Sequence, residues 1–124
     1  MNKRIVIFVS SPNSYSDVFY SFLKCFYSFC KNVNCEIVLS TNNQRIDGIK
    51  VYNNFLENDT WMERTIPVLK VLETKYILLI CDDCIIQKEF DFSIIDRILD
   101  EMDHHGIMFC GLANGFKGKR TEKN

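Results

Sequence analysis

The sequence predicts an α/β domain in which helices flank a mainly parallel sheet. Short runs of β-branched and aromatic residues alternate along the chain with segments whose apolar side chains recur at helical spacing. The run at residues 76–81 is apolar on both faces, which is typical of a central strand in a parallel sheet. The patterns follow the order β-α-β-β-α-β-α-β, which favours right-handed crossovers between parallel strands.

The first half of the predicted domain contains three strands and one helix. Residues 4–9 form the first strand, and a polar loop follows it. Ser14 and Asp17 have capping-box spacing, so they predict the start of a helix. Residues 35–39 and 49–52 are the next two strands. The apolar stripe of the helix is expected to consist of Val18, Phe22, Phe26 and Phe29.

The second half repeats the alternation of helix and strand. Thr60 and Glu63 again have capping-box spacing, and they begin a helix that Pro67 is expected to kink. After the strand at residues 76–81 comes another helix, and residues 107–110 form the last predicted strand. The stripe of that helix is expected to be Ile94, Ile95, Ile98, Leu99 and Met102.

Length and composition favour one domain. The chain has 124 residues, of which 47% are hydrophobic and 25% charged, and this is enough to bury a core. We expect a single nucleotide-sugar-binding domain over residues 1–112. Residues 113–124 read as a polar tail that frays, and the domain's end is a possible truncation point.

Charge and hydropathy exclude two classes of partner. The 15 basic and 16 acidic residues leave a net charge of −1, so no basic surface predicts nucleic-acid binding. The apolar start is too short for a signal peptide, and no stretch approaches the roughly 20 apolar residues of a transmembrane segment. We therefore expect a cytoplasmic protein without a membrane anchor.

The cysteines allow two interpretations. Most lie in apolar runs, which predicts that they pack as small hydrophobic residues in a reducing compartment; these are Cys25, Cys35, Cys81 and Cys110. Cys81 and Cys84 also have the spacing of redox and zinc sites. A redox cysteine prefers a helix N-terminus, however, and a zinc site needs further ligands, from Cys110 or the His104-His105 pair. The two histidines are expected to be solvated at a helix C-terminus.

Two adjacent carboxylates mark the best candidate site. In parallel sheets, ligands bind beyond the carboxyl ends of the strands, and here that edge carries the loops at residues 10–13, 40–44 and 82–87. Asp82 and Asp83 directly follow an apolar strand, where ionised carboxylates need a cation or hydrogen-bond donors. Mg²⁺ or Mn²⁺ bridging to phosphate meets that need, and a solvated turn is the alternative. No glycine-rich phosphate loop is present.

Residues 60–86 resemble a known family at the level of motifs. They read Thr-Trp-Met-Glu-Arg-Thr-Ile-Pro-Val-Leu-Lys-Val-Leu-Glu-Thr-Lys-Tyr-Ile-Leu-Leu-Ile-Cys-Asp-Asp-Cys-Ile-Ile. This is similar to the donor-binding half of GT-A glycosyltransferases of the bacterial surface-polysaccharide type. In that family a Trp-x-Glu-Arg helix leads to a strand that ends in two acidic and two apolar residues. In element order the resemblance extends over residues 3–110, and it implies the Rossmann-like nucleotide-binding half of a GT-A fold.

The resemblance implies a nucleotide-diphosphate sugar donor and a divalent metal, Mn²⁺ or Mg²⁺. Asp83 would be the main metal ligand, and Asp82 would join it or face the ribose or the donor sugar. Arg64 would face the nucleotide, although pairing with a surface carboxylate is an alternative. The nucleobase and ribose pocket would be lined by the loop from Ser10 to Tyr15, which contains Ser11 and Pro12, and by the loop from Ser40 to Asn43, which contains Asn42.

The acceptor half of the family has no counterpart before Asn124, so catalytic residues and the acceptor stay unassigned. The sequence therefore predicts donor binding and assigns no residue to catalysis. The alternative is a non-catalytic α/β module that binds a nucleotide or another protein.

Overall fold

The structure is a computed structural model and describes residues 2–55 and 60–112. Contacts within the chain divide it into two compact units, Met1–Phe92 and Ser93–Asn124. The polar tail expected at residues 113–124 lies outside the described residues.

The described residues of the first unit form six strands and two α-helices. The strands are β1 (Ile5–Ser10), β2 (Cys30–Lys31), β3 (Ile37–Thr41), β4 (Lys50–Asn53), β5 (Tyr76–Leu79) and β6 (Phe90–Asp91). The helices are α1 (Ser16–Phe29) and α2 (Trp61–Val71), and a short 3-10 helix over Asn13–Tyr15 precedes α1. The second unit contains α3 (Ser93–His105).

The main sheet has the strand order β4-β3-β1-β5, and every neighbouring pair is parallel. From β1 the chain adds β3 and β4 on one side and then returns to place β5 on the other side. The strand order therefore reverses at β1. The small strands β2 and β6 form a separate parallel pair. The predicted fold class, a mainly parallel α/β sheet with flanking helices, is confirmed.

The core of the first unit lies around β1 and β3. Residues 5–9 and 37–41 are buried, and α2 adds Val68 to a cluster that contains Val6, Phe8 and Val38. Burying one such side chain stabilises the fold by about 1.5–3 kcal/mol. The core thus includes β1, which has neighbouring strands on both sides and at which the strand order reverses.

Helix α1 differs from its prediction in its cap and in its buried face. Ser14 lies in the 3-10 helix, and the side chain of Asp17 accepts a hydrogen bond from the backbone of Val18 (2.9 Å), so the predicted capping box does not form. The buried stripe is Phe19, Phe22, Leu23 and Phe26. Two of the four predicted positions are therefore right, and Val18 and Phe29 are only half-buried.

Helix α2 begins as the sequence predicts. The Glu63 backbone donates to Thr60 Oγ1 (3.1 Å), and the Thr60 backbone donates to Glu63 Oε1 (3.2 Å). The helix continues from Trp61 to Val71 across Pro67, so the proline does not end it. Packing of Val68 in the core helps to offset the hydrogen bond that proline cannot donate.

Two strand predictions are wrong. Strand β5 lies at an edge of the described sheet and not at its centre, and Ile77 and Leu79 are 37% and 53% exposed. Residues 107–110 form no strand, and Met108 is 93% exposed. An apolar run reports a preference for burial, but it does not specify how many strands pair with it. The apolar pattern of β5 therefore does not tell a central strand from an edge strand.

In the second unit, α3 confirms the helix predicted after Ser93. Three of the five residues of the expected stripe are buried, namely Ile95, Leu99 and Met102, whereas Ile94 is exposed and Ile98 is half-buried. Gly106 follows the helix with φ +64°, a conformation that glycine adopts without strain, and the Ile107 backbone donates to the Met102 carbonyl (2.9 Å). His104 and His105 are exposed at the helix end, as expected. Among the described helices, none has the length and apolar character needed to cross a bilayer.

All six cysteines are free thiols. Cys35 is buried and Cys25 is half-buried, in keeping with the predicted packing. The prediction is wrong for Cys81 and Cys110, which are exposed. The reason is structural: β5 ends at Leu79, before Cys81, and the strand expected to bury Cys110 is not formed.

Candidate functional site

The parallel register between β1 and β5 brings Asp82 to the loop after β1. Phe8 is opposite Leu79, and the Ile80 backbone continues the ladder by donating to the Phe8 carbonyl (3.1 Å). Extending this register by three residues sets Asp82 opposite Ser11. The buried Ser11 hydroxyl indeed donates to Asp82 Oδ2 (2.6 Å). The two strand ends are therefore tied together by a short charge-assisted hydrogen bond.

Asn13 ties the loop after β1 to the loop after β3. Its Oδ1 accepts from Thr41 Oγ1 (3.3 Å) and from the Asn43 backbone (3.2 Å). Its own backbone donates to Asn42 Oδ1 (2.8 Å), and its side-chain amide donates to Asn43 Oδ1. One asparagine thus fixes the spacing between the two loops at the carboxyl edge of the sheet.

A second chain of hydrogen bonds connects β3 to the start of α2. The buried Ser40 hydroxyl donates to Asn54 Oδ1 (2.6 Å), and the Asn54 side chain donates to the Arg64 carbonyl (2.5 Å). The backbone of Ser11 donates to the carbonyl of Ser40 (2.9 Å). These contacts set the first turn of α2 beside the loop after β1.

A crevice of about 510 Å³ lies where these segments meet. It falls within the roughly 300–1,000 Å³ range of small-molecule sites in proteins. The end of β1 contributes Ser10, and the segment after it contributes Pro12, Ser14 and Tyr15. The first turn of α2 contributes Trp61 and Arg64, and the chain from β5 onward contributes residues 79–83. The crevice therefore lies at the reversal of strand order, where open α/β sheets bind ligands.

The crevice combines aromatic, cationic and acidic side chains. Tyr15 and Trp61 are 54% and 42% exposed, so their rings are available for stacking. The Arg64 guanidinium carbon lies 4.2 Å from the centroid of the Phe55 ring, which orients the guanidinium by a cation–π contact. Asp82 and Asp83 supply carboxylates to the same crevice. This set can stack on a base, contact phosphate and accept from hydroxyl groups.

Asp82 and Asp83 lie at the centre of a tight turn, in which the Cys84 backbone donates to the Cys81 carbonyl (3.1 Å). The turn was the alternative interpretation of the pair, and it coincides with the edge of the crevice. The two carboxylates have different neighbours. Asp82 accepts a hydrogen bond from Ser11, whereas Asp83 lies close to the two cysteines. Sγ of Cys81, a carboxylate oxygen of Asp83 and Sγ of Cys84 lie within 4.8 Å of one another.

The surroundings of the turn change the pKa of one of its thiols. Partial burial raises the pKa of the Cys81 thiol above its ordinary value, and the nearby Cys84 and Asp83 raise it further. The donor set matters for any metal. Mg²⁺ takes oxygen ligands, and this group offers one carboxylate oxygen, from Asp83, beside two sulfur atoms, while Asp82 lies outside it.

The structure brings together most of the site residues that the sequence predicts. Ser10, Pro12, Tyr15, Arg64, Asp82 and Asp83 all line the crevice, and Ser11 holds Asp82 from behind. Ser40 and Asn42 do not line it, because their side chains are engaged with Asn54 and Asn13. Their role is to position the loops.

Sequence reasoning did not assign Trp61 or Cys81 to the nucleotide site, yet both line the crevice. Asn13 and Ser14 lie in the loop at residues 10–15 that the resemblance implies, but neither is singled out there. Ser14 lines the crevice, and Asn13 joins the loops. The signal for Trp61 was available, since a tryptophan at the first helical position beside a cap leaves its ring near the strand ends. No local pattern marks Asn13, because its partners lie 28 to 30 residues away in the sequence.

A larger hollow, of about 620 Å³, lies within the second unit. Its walls are α3 and the segment at residues 107–111, which forms no regular element and whose Phe109 is 79% exposed. The crevice at the strand ends is smaller, but hydrogen bonds between three segments frame it. We therefore treat the framed crevice as the candidate site.

Comparison of the chain with models of protein families, with curated proteins and with solved structures yields no match. The site is therefore interpreted from its own residues.

Proposed function

We propose that the crevice between the ends of β1 and β5 binds a nucleoside diphosphate, as part of a nucleotide-sugar donor. The observation that carries the proposal is the hydrogen bond from Ser11 to Asp82, which holds an acidic residue against the first-strand loop at the reversal of strand order. This is the position where open α/β sheets bind nucleotides.

Each wall of the crevice suits one part of such a ligand. Tyr15 and Trp61 offer exposed rings for the base, and Arg64 offers a planar cation for the diphosphate. The second oxygen of Asp82, Oδ1, would accept from a ribose hydroxyl. Asp83 would hold a divalent cation that bridges to the phosphates. These assignments preserve the roles that the glycosyltransferase resemblance implies.

Sugar transfer is the reaction that this arrangement would serve. Cleavage of the bond between the sugar and the diphosphate leaves negative charge on the departing nucleotide. Arg64 lies on the crevice wall where that charge would develop, and a bound divalent cation would supply Lewis-acid neutralisation. We assign no catalytic base and no acceptor, so the proposal concerns donor binding first.

A non-catalytic interaction module is the second candidate. The exposed apolar side chains Ile77 and Leu79 favour it, because β5 lies at an edge of the described sheet and an edge strand is able to pair with an added strand. The two candidates differ in one property: only the first requires nucleotide affinity.

Isothermal titration calorimetry with uridine and guanosine diphosphates, with and without Mn²⁺, tests the proposal. We expect metal-dependent binding that Asp83→Ala weakens at least about tenfold, or about 1.4 kcal/mol. Asp47→Ala is the matched control, since Asp47 is an exposed carboxylate in a turn away from the crevice. Absence of binding by any nucleotide to the folded protein would refute the proposal and favour the interaction module.

A further inference from the structure

We propose that Cys81, Asp83 and Cys84 form a zinc site at the edge of the crevice, with the fourth coordination position open. The proposal stands without nucleotide binding and rests on the proposed function only for what occupies that fourth position.

The turn brings the three side chains to one side. The hydrogen bond from the Cys84 backbone to the Cys81 carbonyl closes the turn, and a second one, from the Ile85 backbone to the Asp83 carbonyl (3.1 Å), continues it. Three ligand atoms, two sulfurs and one oxygen, lie within 4.8 Å of one another. Donors on a tetrahedral zinc at about 2.3 Å are separated by roughly 3.8 Å. The observed separations of up to 4.8 Å exceed that spacing by no more than about 1 Å, and exposed side chains have room to rotate.

The chemistry of the donors selects the ion. Thiolate ligands favour Zn²⁺ over Mg²⁺, which prefers an octahedron of oxygen atoms. Two thiolates and one carboxylate are a complete three-ligand set, and zinc sites with three protein ligands keep their fourth position for water or substrate. Since all three residues are exposed, an ion can enter without opening the core.

The fourth coordination position of the proposed zinc ion would lie at the edge of the crevice. Cys81 and Asp83 line the crevice, whereas Ser11 holds Asp82 outside the ligand group. An ion at this turn therefore borders the volume that the proposed diphosphate would occupy. A phosphate oxygen is able to replace the water on such an ion.

Cobalt substitution tests the zinc site directly. The full chain, stripped of metal and kept reduced by a phosphine, is titrated with Co²⁺ and then with Zn²⁺. We expect a thiolate-to-cobalt charge-transfer band that saturates at one ion per chain and that zinc abolishes. The Cys81→Ser/Cys84→Ser double variant should lose the band, and Asp83→Asn should weaken cobalt binding at least about tenfold.

Cys110→Ser is the matched control, because Cys110 is also an exposed free thiol but lies outside the ligand group. It should keep the band, and circular dichroism melts confirm that each variant is folded. A reduced, folded wild-type chain without the band overturns the proposal, as does a band that survives in the double variant. Nucleotide titration of the same samples separates the two claims: binding without the band refutes only the zinc site, and the band without binding refutes only the nucleotide site.

Discussion

At the scale of single residues, the hydrogen bond between Ser11 and Asp82 couples the stability of the strand ends to the shape of the crevice. Ser11 is fully buried and donates to a carboxylate at 2.6 Å. Hydrogen bonds to charged groups contribute about 1.5–3 kcal/mol, and Asp82 is half-buried, so we expect the lower end of that range. Ser11→Ala should therefore reduce the free energy of unfolding by about 1.5 kcal/mol in urea denaturation.

Ser14→Ala provides the comparison, since Ser14 lines the same crevice but is exposed. Exposed substitutions of this kind change stability by no more than about 0.5 kcal/mol. Equal losses in the two variants would show that the link between Ser11 and Asp82 does not stabilise the protein.

Asn13 gives a graded prediction at the same scale. Asn13→Asp keeps an oxygen that accepts from Thr41 and Asn43 but loses the amide that donates to Asn43. Asn13→Ala loses all the side-chain bonds. At about 1 kcal/mol per neutral hydrogen bond, the alanine variant should be less stable than the aspartate variant, and both less stable than wild type. Thermal unfolding of the three proteins checks this order, and a more stable alanine variant would contradict it.

Single residues also show where sequence reasoning reaches its limit. The approach of Asp82 to the first-strand loop follows from parallel pairing, and the sequence alone predicted it. The hydrogen bond from Ser40 to Asn54 could not be predicted from the sequence. A serine after a strand gives the same sequence pattern whether its hydroxyl binds a ligand or a neighbouring side chain. Exposure of Cys81 was missed for a related reason: the apolar run extends to Cys81, but the strand ends at Leu79.

At the scale of elements, the capping box of α2 controls the helix that carries Trp61 and Arg64. Thr60→Ala removes the side chain that accepts from Glu63 and should cost about 1 kcal/mol. The loss should appear as a lower urea midpoint with an unchanged slope. Thr74→Ala, a half-buried threonine outside the helices, is the control for the removal of a threonine hydroxyl. An unchanged midpoint in Thr60→Ala would show that the cap does not stabilise the helix.

The same cap has a defined pH dependence. Hydrogen bonds from Thr60 lower the pKa of Glu63 below its ordinary value. A carboxyl whose pKa is lowered on folding stabilises the protein above its unfolded pKa, and this contribution is lost as the pH falls through the folded pKa. Glu63→Gln should thus differ most from wild type at neutral pH. Denaturation curves should converge in acid, and a difference that grows as the pH falls would contradict the assignment.

The helices and strands also show which features a local sequence pattern predicts and which depend on strand pairing. Strand β1 and helices α2 and α3 appear close to their predicted bounds, because caps and apolar periodicity are local signals. The edge position of β5 and the missing strand at residues 107–110 depend on which segments pair, and pairing is not a local property. The sequence therefore predicts which segments form helices and strands better than it predicts which strands pair.

At the scale of the whole molecule, the fold and the site have one origin. The chain leaves β1 on one side and returns on the other, so the loops after β1 and β5 diverge and leave a crevice between them. The sequence predicts a parallel sheet with a site at its carboxyl edge, whereas the place of the reversal is read from the structure. The parallel register brings Asp82 to that place. The proposed ligand would be recognised by side chains such as Trp61 and Arg64, whose identity the fold does not determine.

The most direct test of the central claim is a map of amide chemical shifts during titration of the labelled protein with uridine or guanosine diphosphate in the presence of Mg²⁺. Nucleotide in the crevice should shift the amides of residues 10–15, 61–64 and 80–84, and leave those of β4 and α3 unchanged. Shifts confined to α3 and residues 107–111, or no shifts at saturating nucleotide, would contradict the claim that this crevice is the binding site.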